Sequence, residues 1–123
     1  ESISARDTAI RRNMKENFYH SMLLGLLRSQ DNWLVKSNAE TGEDYSGISI
    51  QTRERVGMII ELKYADDGNL EAACREALKQ IEEKKYAEGL MRRGAKKIIK
   101  YGIAFYVAIG DGGFSEIPRP QLQ

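Results

Sequence analysis

The chain has 123 residues, and 19 Lys and Arg against 18 Asp and Glu (19 − 18) leave a formal net charge of +1. This length fits one domain, and a 41% hydrophobic composition with two prolines excludes a disordered or collagen-like chain. No apolar run approaches the roughly 18 residues of a membrane span, so we expect no membrane association. The only cysteine, Cys74, excludes a disulfide framework and favours a cytoplasmic location. Because the chain opens on Glu1, we expect a longer protein.

The first predicted element is a helix between about Asp7 and Leu27, followed by three strands. Apolar residues recur every four positions in this helix and predict a face that packs on the core. The face consists of Ile10, Met14, Phe18, Met22 and Leu26, widened by Tyr19, Leu23 and Leu27. The strands are expected at 33–36, 48–51 and 57–64, with a polar loop before the second.

A second helix is expected after Asn69, whose side chain suits an N-cap. Its buried stripe is expected to contain Leu70, Ala73, Cys74, Ala77, Leu78 and Ile81. Residues 97–109 predict the last strand, and the Gly- and Pro-containing segment 110–123 a flexible tail. The order α-β-β-β-α-β therefore predicts one α/β domain over residues 1–109, with a small mixed sheet flanked by helices.

Two charged residues, Glu61 and Lys63, interrupt the apolar third strand. The two-residue period of a strand places both on one face of the sheet. A carboxylate beside an ammonium group on a rigid strand can hold a divalent cation and direct a water towards a phosphate. The alternative is a solvated ion pair on an edge strand.

The two helices carry further polar candidates. Gln80 lies at the flank of the second helix's apolar stripe, where it could face the same site. Glu16 lies four residues before His20 and therefore on the same helix face. The alternative for Glu16 is a solvated helix charge, and His20 is expected to pack or hydrogen-bond rather than bind metal. Cys74 is expected in the core.

Five segments together resemble a known family. They are 16–20 (Glu-Asn-Phe-Tyr-His), 37–42 (Ser-Asn-Ala-Glu-Thr-Gly), 60–63 (Ile-Glu-Leu-Lys), 77–81 (Ala-Leu-Lys-Gln-Ile) with Tyr86, and 101–105 (Tyr-Gly-Ile-Ala-Phe). In this order they are similar to the PD-(D/E)XK nuclease superfamily, in the branch found behind an ATPase-like domain in bacterial proteins. The resemblance implies a restriction-endonuclease-like core, hydrolysis of phosphodiester bonds in DNA with Mg²⁺ or Mn²⁺, and an amino-terminal ATPase-like domain.

The resemblance also implies roles for individual residues. Glu61 would ligate the metal, with the backbone carbonyl of Leu62 as a further ligand. Lys63 would orient the attacking water and stabilise charge on the phosphate. Gln80 would support the site from the second helix, and Glu16 would be an accessory acid.

The family's metal-binding aspartate at the start of the second strand falls on Gly47 in this chain, within the segment Asp-Tyr-Ser-Gly-Ile at 44–48. Mg²⁺ sites are usually anchored by one or two carboxylates, and here Glu61 would remain alone while Lys63 opposes cation binding. Replacement carboxylates nearby in the sequence are Glu40, Glu43 and Asp44. We therefore expect cleavage to be impaired.

A local group of cations follows the second helix and predicts contacts with nucleic-acid phosphates. Its members are Lys84, Lys85, Arg92, Arg93, Lys96 and Lys97. The alternative is ordinary solvated charge, because glutamates are interspersed. The second hypothesis for function is thus a catalytically inactive module that binds nucleic acid or regulates a larger ATPase-linked protein. A third is a homodimer that pairs through the apolar last strand with Tyr101, Phe105 and Tyr106.

Overall fold

A computed structural model describes residues 5–38, 47–110 and 113–122. The elements in chain order are α1 (Ala5–Arg28), β1 (Trp33–Ser37), β2 (Gly47–Thr52), β3 (Val56–Tyr64), α2 (Leu70–Lys84), α3 (Tyr86–Arg92), β4 (Lys97–Gly110) and β5 (Gly113–Leu122). The expected α/β architecture and the expected order α-β-β-β-α-β are confirmed. The structure adds α3 and β5. None of the helices in the described ranges has the length and hydropathy of a membrane span.

The strands form one sheet in the order β1-β2-β3-β4-β5, in which β3 and β4 are parallel and the other pairs are antiparallel. The parallel pair needs a crossover connection, which α2 and α3 supply. Because β3 lies between β2 and β4, the alternative of an edge-strand ion pair for Glu61 and Lys63 is wrong.

Helix α1 covers one face of the sheet, over β1 to β3. The side chains that face the sheet are Glu16, Tyr19, His20, Leu23, Leu24 and Leu27. The predicted stripe that begins at Ile10 and recurs every four residues is instead 46% to 65% exposed. That part of the prediction is wrong. Helix α1 has apolar residues on two faces, and the face that packs on the sheet is the one whose residues recur at alternating spacings of three and four.

Helices α2 and α3 cover the opposite face. The side chain of Asn69 accepts a hydrogen bond from the Ala72 amide at 3.1 Å, which confirms the predicted N-cap. The buried residues of α2 are Ala73, Cys74, Ala77 and Ile81, as its stripe predicted. Lys85 separates α2 from α3 with a left-handed backbone (φ 56°), and its amide donates to the carbonyl of Glu82.

Close packing of α2 on β4 requires a glycine at position 102. A Cβ there would lie 2.7 Å from the carbonyl oxygen of Cys74 and 3.0 Å from Cγ of Leu78. We expect Gly102→Ala to lower the free energy of unfolding, measured in urea, by about 1–3 kcal/mol, since overpacking forces the layers apart. The control Gly89→Ala places its methyl in open space on α3. Equal losses in both variants would contradict this packing.

The carboxy-terminal segment was expected to be a flexible tail, but residues 113–122 form β5 along β4. Two prolines are compatible with this strand because β5 lies at the edge of the sheet, where a backbone nitrogen that faces solvent needs no hydrogen bond. Pro118 and Pro120 are two residues apart, so their nitrogens point to the same side of β5. Strand β4 is thereby paired on both sides. The predicted homodimer through an exposed edge of β4 is therefore wrong.

Candidate functional site

Gly47 lies directly beside Glu61 in the antiparallel pair of β2 and β3. A Cβ built on Gly47 would be 2.9 Å from Oε2 of Glu61. Glu61 is 0% exposed, and it shares the α2-facing side of the sheet with Ile59, which packs against Ile81 and Leu90. The position from which the family's aspartate would project thus faces the carboxylate of Glu61.

Two side chains fill the space that an aspartate at position 47 would need. Nδ2 of Asn38 lies 2.5 Å from the Cβ position of Gly47, and Cε2 of Tyr86 lies 3.3 Å from it. Asn38 is buried, and its Oδ1 accepts a hydrogen bond from the hydroxyl of Ser49 at 3.2 Å. This bond holds the amide nitrogen towards Gly47, so the space beside Glu61 is occupied by an amide and an aromatic ring.

Among the described residues, the donor set at this point does not fit Mg²⁺. Gly47 supplies no oxygen from a side chain, and Nδ2 of Asn38 lies where a side chain at position 47 would begin. Within residues 5–38, 47–110 and 113–122, no three side chains from His, Cys, Asp and Glu come together as a metal-binding group. Glu40, Glu43 and Asp44, which were predicted as replacement ligands, lie outside the described residues.

Lys63 follows Glu61 on the same face of β3 but lines a separate polar cleft of about 430 Å³. This cleft lies at the carboxyl end of β3, between α1 and the start of α2. It also contains Glu16, whose Oε1 accepts a hydrogen bond from the Tyr64 amide at 3.1 Å. Glu16 is therefore bound to the backbone beyond Lys63, and the alternative of a solvated helix charge is wrong.

The other predicted site residues lie apart from this cleft. His20 is buried, and its Nε2 lies 3.1 Å from the hydroxyl of Ser37, in keeping with the expected hydrogen-bonding role. The side chain of Leu62 packs on the opposite face, in the core beneath α1. Gln80 is half-buried on α2 and lines neither the polar cleft nor the groove described next.

A basic groove of about 140 Å³ adjoins Gly47 on the side of Asn38 and Tyr86. Its cations are Lys36, Lys84, Lys85 and Arg93. Three of them belong to the predicted cationic group. The remaining members, Arg92, Lys96 and Lys97, are exposed but do not line the groove. The basic groove therefore contains only part of the predicted cationic group, and it gains one cation from β1.

A shallow depression continues the basic groove across Arg93. It is lined in part by Trp33, Arg53 and Arg93, and the amide of Gln51 donates to the Arg93 carbonyl at 3.0 Å. The depression adds Arg53 to the cations beside the basic groove. It also contains Asp31, and its Trp33 packs in part against the core beneath α1. Lys36 was not among the residues predicted from sequence. It pairs with Ser49, two residues after Gly47 on β2, and therefore lies on the same face of the sheet as Gly47.

These features define an α/β domain with a restriction-endonuclease-like core and an acid-x-lysine pair on its middle strand. A comparison with protein-family models matches residues 14–109 to the PD-(D/E)XK nuclease superfamily. Because this match spans well over half of the chain, the protein belongs to that superfamily, whose nucleases generally use divalent metals. No curated protein and no solved structure gives a significant match to the chain.

Proposed function

We propose that this domain binds nucleic acid, DNA in the first place, through the basic groove, and that its ancestral cleavage step is lost. The observation that carries the proposal is the filled position beside Glu61. Asn38 and Tyr86 occupy the space of the missing carboxylate, while the adjoining groove keeps four cations. A surface of this kind can hold a phosphate backbone without a metal.

The charge distribution supports binding by the groove rather than by the whole surface. The net charge of +1 gives no general attraction to a polyanion. The basic groove concentrates Lys36, Lys84, Lys85 and Arg93, and no carboxylate is among the described residues that line it. Phosphate contacts of this kind give affinity that falls steeply with salt and little sequence preference.

A metal-dependent nuclease is the second candidate, favoured by membership of the superfamily and by Glu61 and Lys63 on one face of β3. In that reading Glu61 and the Leu62 carbonyl would hold Mg²⁺ or Mn²⁺, and Lys63, Gln80 and Glu16 would have the roles that the resemblance implies. We also propose that an ATPase-like domain precedes this one and that the protein is cytoplasmic. In such a protein this domain would bring nucleic acid close to the ATPase-like domain or regulate it.

Cleavage assays separate the two candidates. We expect no hydrolysis of single- or double-stranded DNA with Mg²⁺ or Mn²⁺, and binding that is unchanged by a chelator, since no step of binding uses the ion. The controls are Glu61→Gln and Lys63→Ala. Metal-dependent cleavage that both variants abolish would overturn loss of activity, and absence of binding even at low salt would overturn the nucleic-acid role.

A further inference from the structure

The exposed face of α1 carries a continuous row of large apolar side chains, which we call the α1 ridge. It consists of Ile10, Met14, Phe18, Met22 and Leu26, each 46% to 65% exposed. Residues 17–27 contain no Asp, Glu, Lys or Arg, so this stretch has no charge to solvate its outer face. Single exposed apolar residues are ordinary, but a contiguous row of them marks an interaction surface.

The shape of the α1 ridge indicates that another helix covers it. Residues four apart form the ridges that interdigitate when two helices cross at about −50°. The neighbouring row of α1 contains Ser21 and Gly25, and a Cβ at Gly25 would meet nothing within 4 Å. Small residues beside a row of large ones form the groove that a facing ridge needs. The surface therefore carries both a ridge and the groove complementary to it.

An apolar hollow of about 380 Å³ lies on the sheet-facing side of the α1 ridge. Met22 and Leu26 form one wall, and Leu62, Ile103 and Phe105 form the floor. The hollow lies where α1, which covers β1 to β3, ends and β4 is next in the sheet. The carboxy-terminal part of the α1 ridge thus borders a cavity that fits large apolar side chains from a partner.

We propose that this surface joins two copies of the chain, with the α1 ridge of each copy packed on the α1 helix and apolar hollow of the other. A two-fold interface must be self-complementary, and ridge and groove lie side by side on one helix. Five half-exposed side chains of roughly 200 Å² present on the order of 500 Å² per chain. Two copies therefore bury about 1,000 Å², which is the lower bound of a specific interface. Contacts in the apolar hollow bury additional area.

The interface lies on the opposite face of the sheet from Gly47 and the basic groove. A dimer of this form leaves both grooves accessible, so the inference does not depend on the proposed function. The N-terminal half of α1 also stays anchored in the dimer, since Arg12 forms an ion pair at 3.2 Å with Asp66, in the turn that follows β3.

Sedimentation equilibrium of the full chain over the micromolar range tests the proposal. We expect a mass approaching twice 13.9 kDa. Phe18→Glu and Met22→Glu should weaken dimerisation on the order of 100-fold, since each buries a charge at the centre of the interface. Both side chains are exposed in the single chain, so these variants should stay folded by circular dichroism. The matched control is Met91→Glu, which changes a 53% exposed methionine on α3.

Cysteine cross-linking gives a second readout. Ser21→Cys should form an intermolecular disulfide under mild oxidation, whereas Ser29→Cys beyond the end of α1 should not. The native Cys74 is fully buried and does not interfere. A monomer over the whole concentration range, or a dimer that both glutamate variants leave unchanged, overturns the proposal. Binding of the monomer to anionic vesicles, lost in Phe18→Glu, would assign the α1 ridge to a lipid surface instead.

Discussion

Gly47→Asp, which restores the carboxylate of the family motif, is expected to destabilise the domain and to give no metal-dependent cleavage. The new Cβ would lie 2.5 Å from Nδ2 of Asn38 and 2.9 Å from Oε2 of Glu61. The steric conflict alone should lower the free energy of unfolding by about 1–3 kcal/mol. A second carboxylate beside a buried one adds electrostatic repulsion. Urea unfolding and a DNA cleavage assay with Mn²⁺ measure the two effects.

A companion substitution distinguishes a filled position from a wrong alignment. Asn38→Gly removes the closest obstacle, so the double variant Asn38→Gly/Gly47→Asp should recover part of the lost stability. It should also bind Mn²⁺, which calorimetry detects, because two carboxylates then face each other. Gly47→Ala is the matched control, since it adds the steric conflict without a ligand. If Gly47→Asp alone keeps wild-type stability and cuts DNA, the account of the filled position is wrong.

Charge reversal in the basic groove is expected to have the largest effect on nucleic-acid binding. Lys85→Glu combined with Arg93→Glu removes two cations and adds two negative charges where a phosphate backbone would lie. Each lost phosphate contact should reduce the slope of log K against log salt by about 1. At low salt we expect affinity to fall by at least about tenfold per position. Fluorescence anisotropy with a labelled oligonucleotide at several salt concentrations provides the measurement.

The control for this experiment reverses a single charge on another surface, and it is compared with each of the two groove substitutions made alone. Lys79 lies on α2, is 75% exposed, and is 3.8 Å from Glu83, away from the groove. Lys79→Glu should leave the affinity and the salt slope almost unchanged, because salt screens an exposed charge that lies outside the groove. Equal losses in Lys79→Glu and the single groove variants would mean that binding follows net charge, and the groove would then have no special role.

The predictions that held from sequence rest on local geometry. Period two in the third strand placed Glu61 and Lys63 on one face, and the stripe of α2 gave its buried residues. Gly47 was identified through a resemblance, and the strand register then placed it opposite Glu61. These features depend on spacing along the chain, which the sequence encodes directly.

The tertiary structure alone decided the remaining features. Helix α1 has two apolar faces, and the shape of the sheet selected the one that includes Glu16 and His20. The filling of the space beside Gly47 joins Asn38 and Tyr86, which lie far apart in the sequence. The periodicity of a helix or strand decides which residues share a face. Which face is buried, and which side chain fills a given space, depends on how elements distant in the sequence pack together.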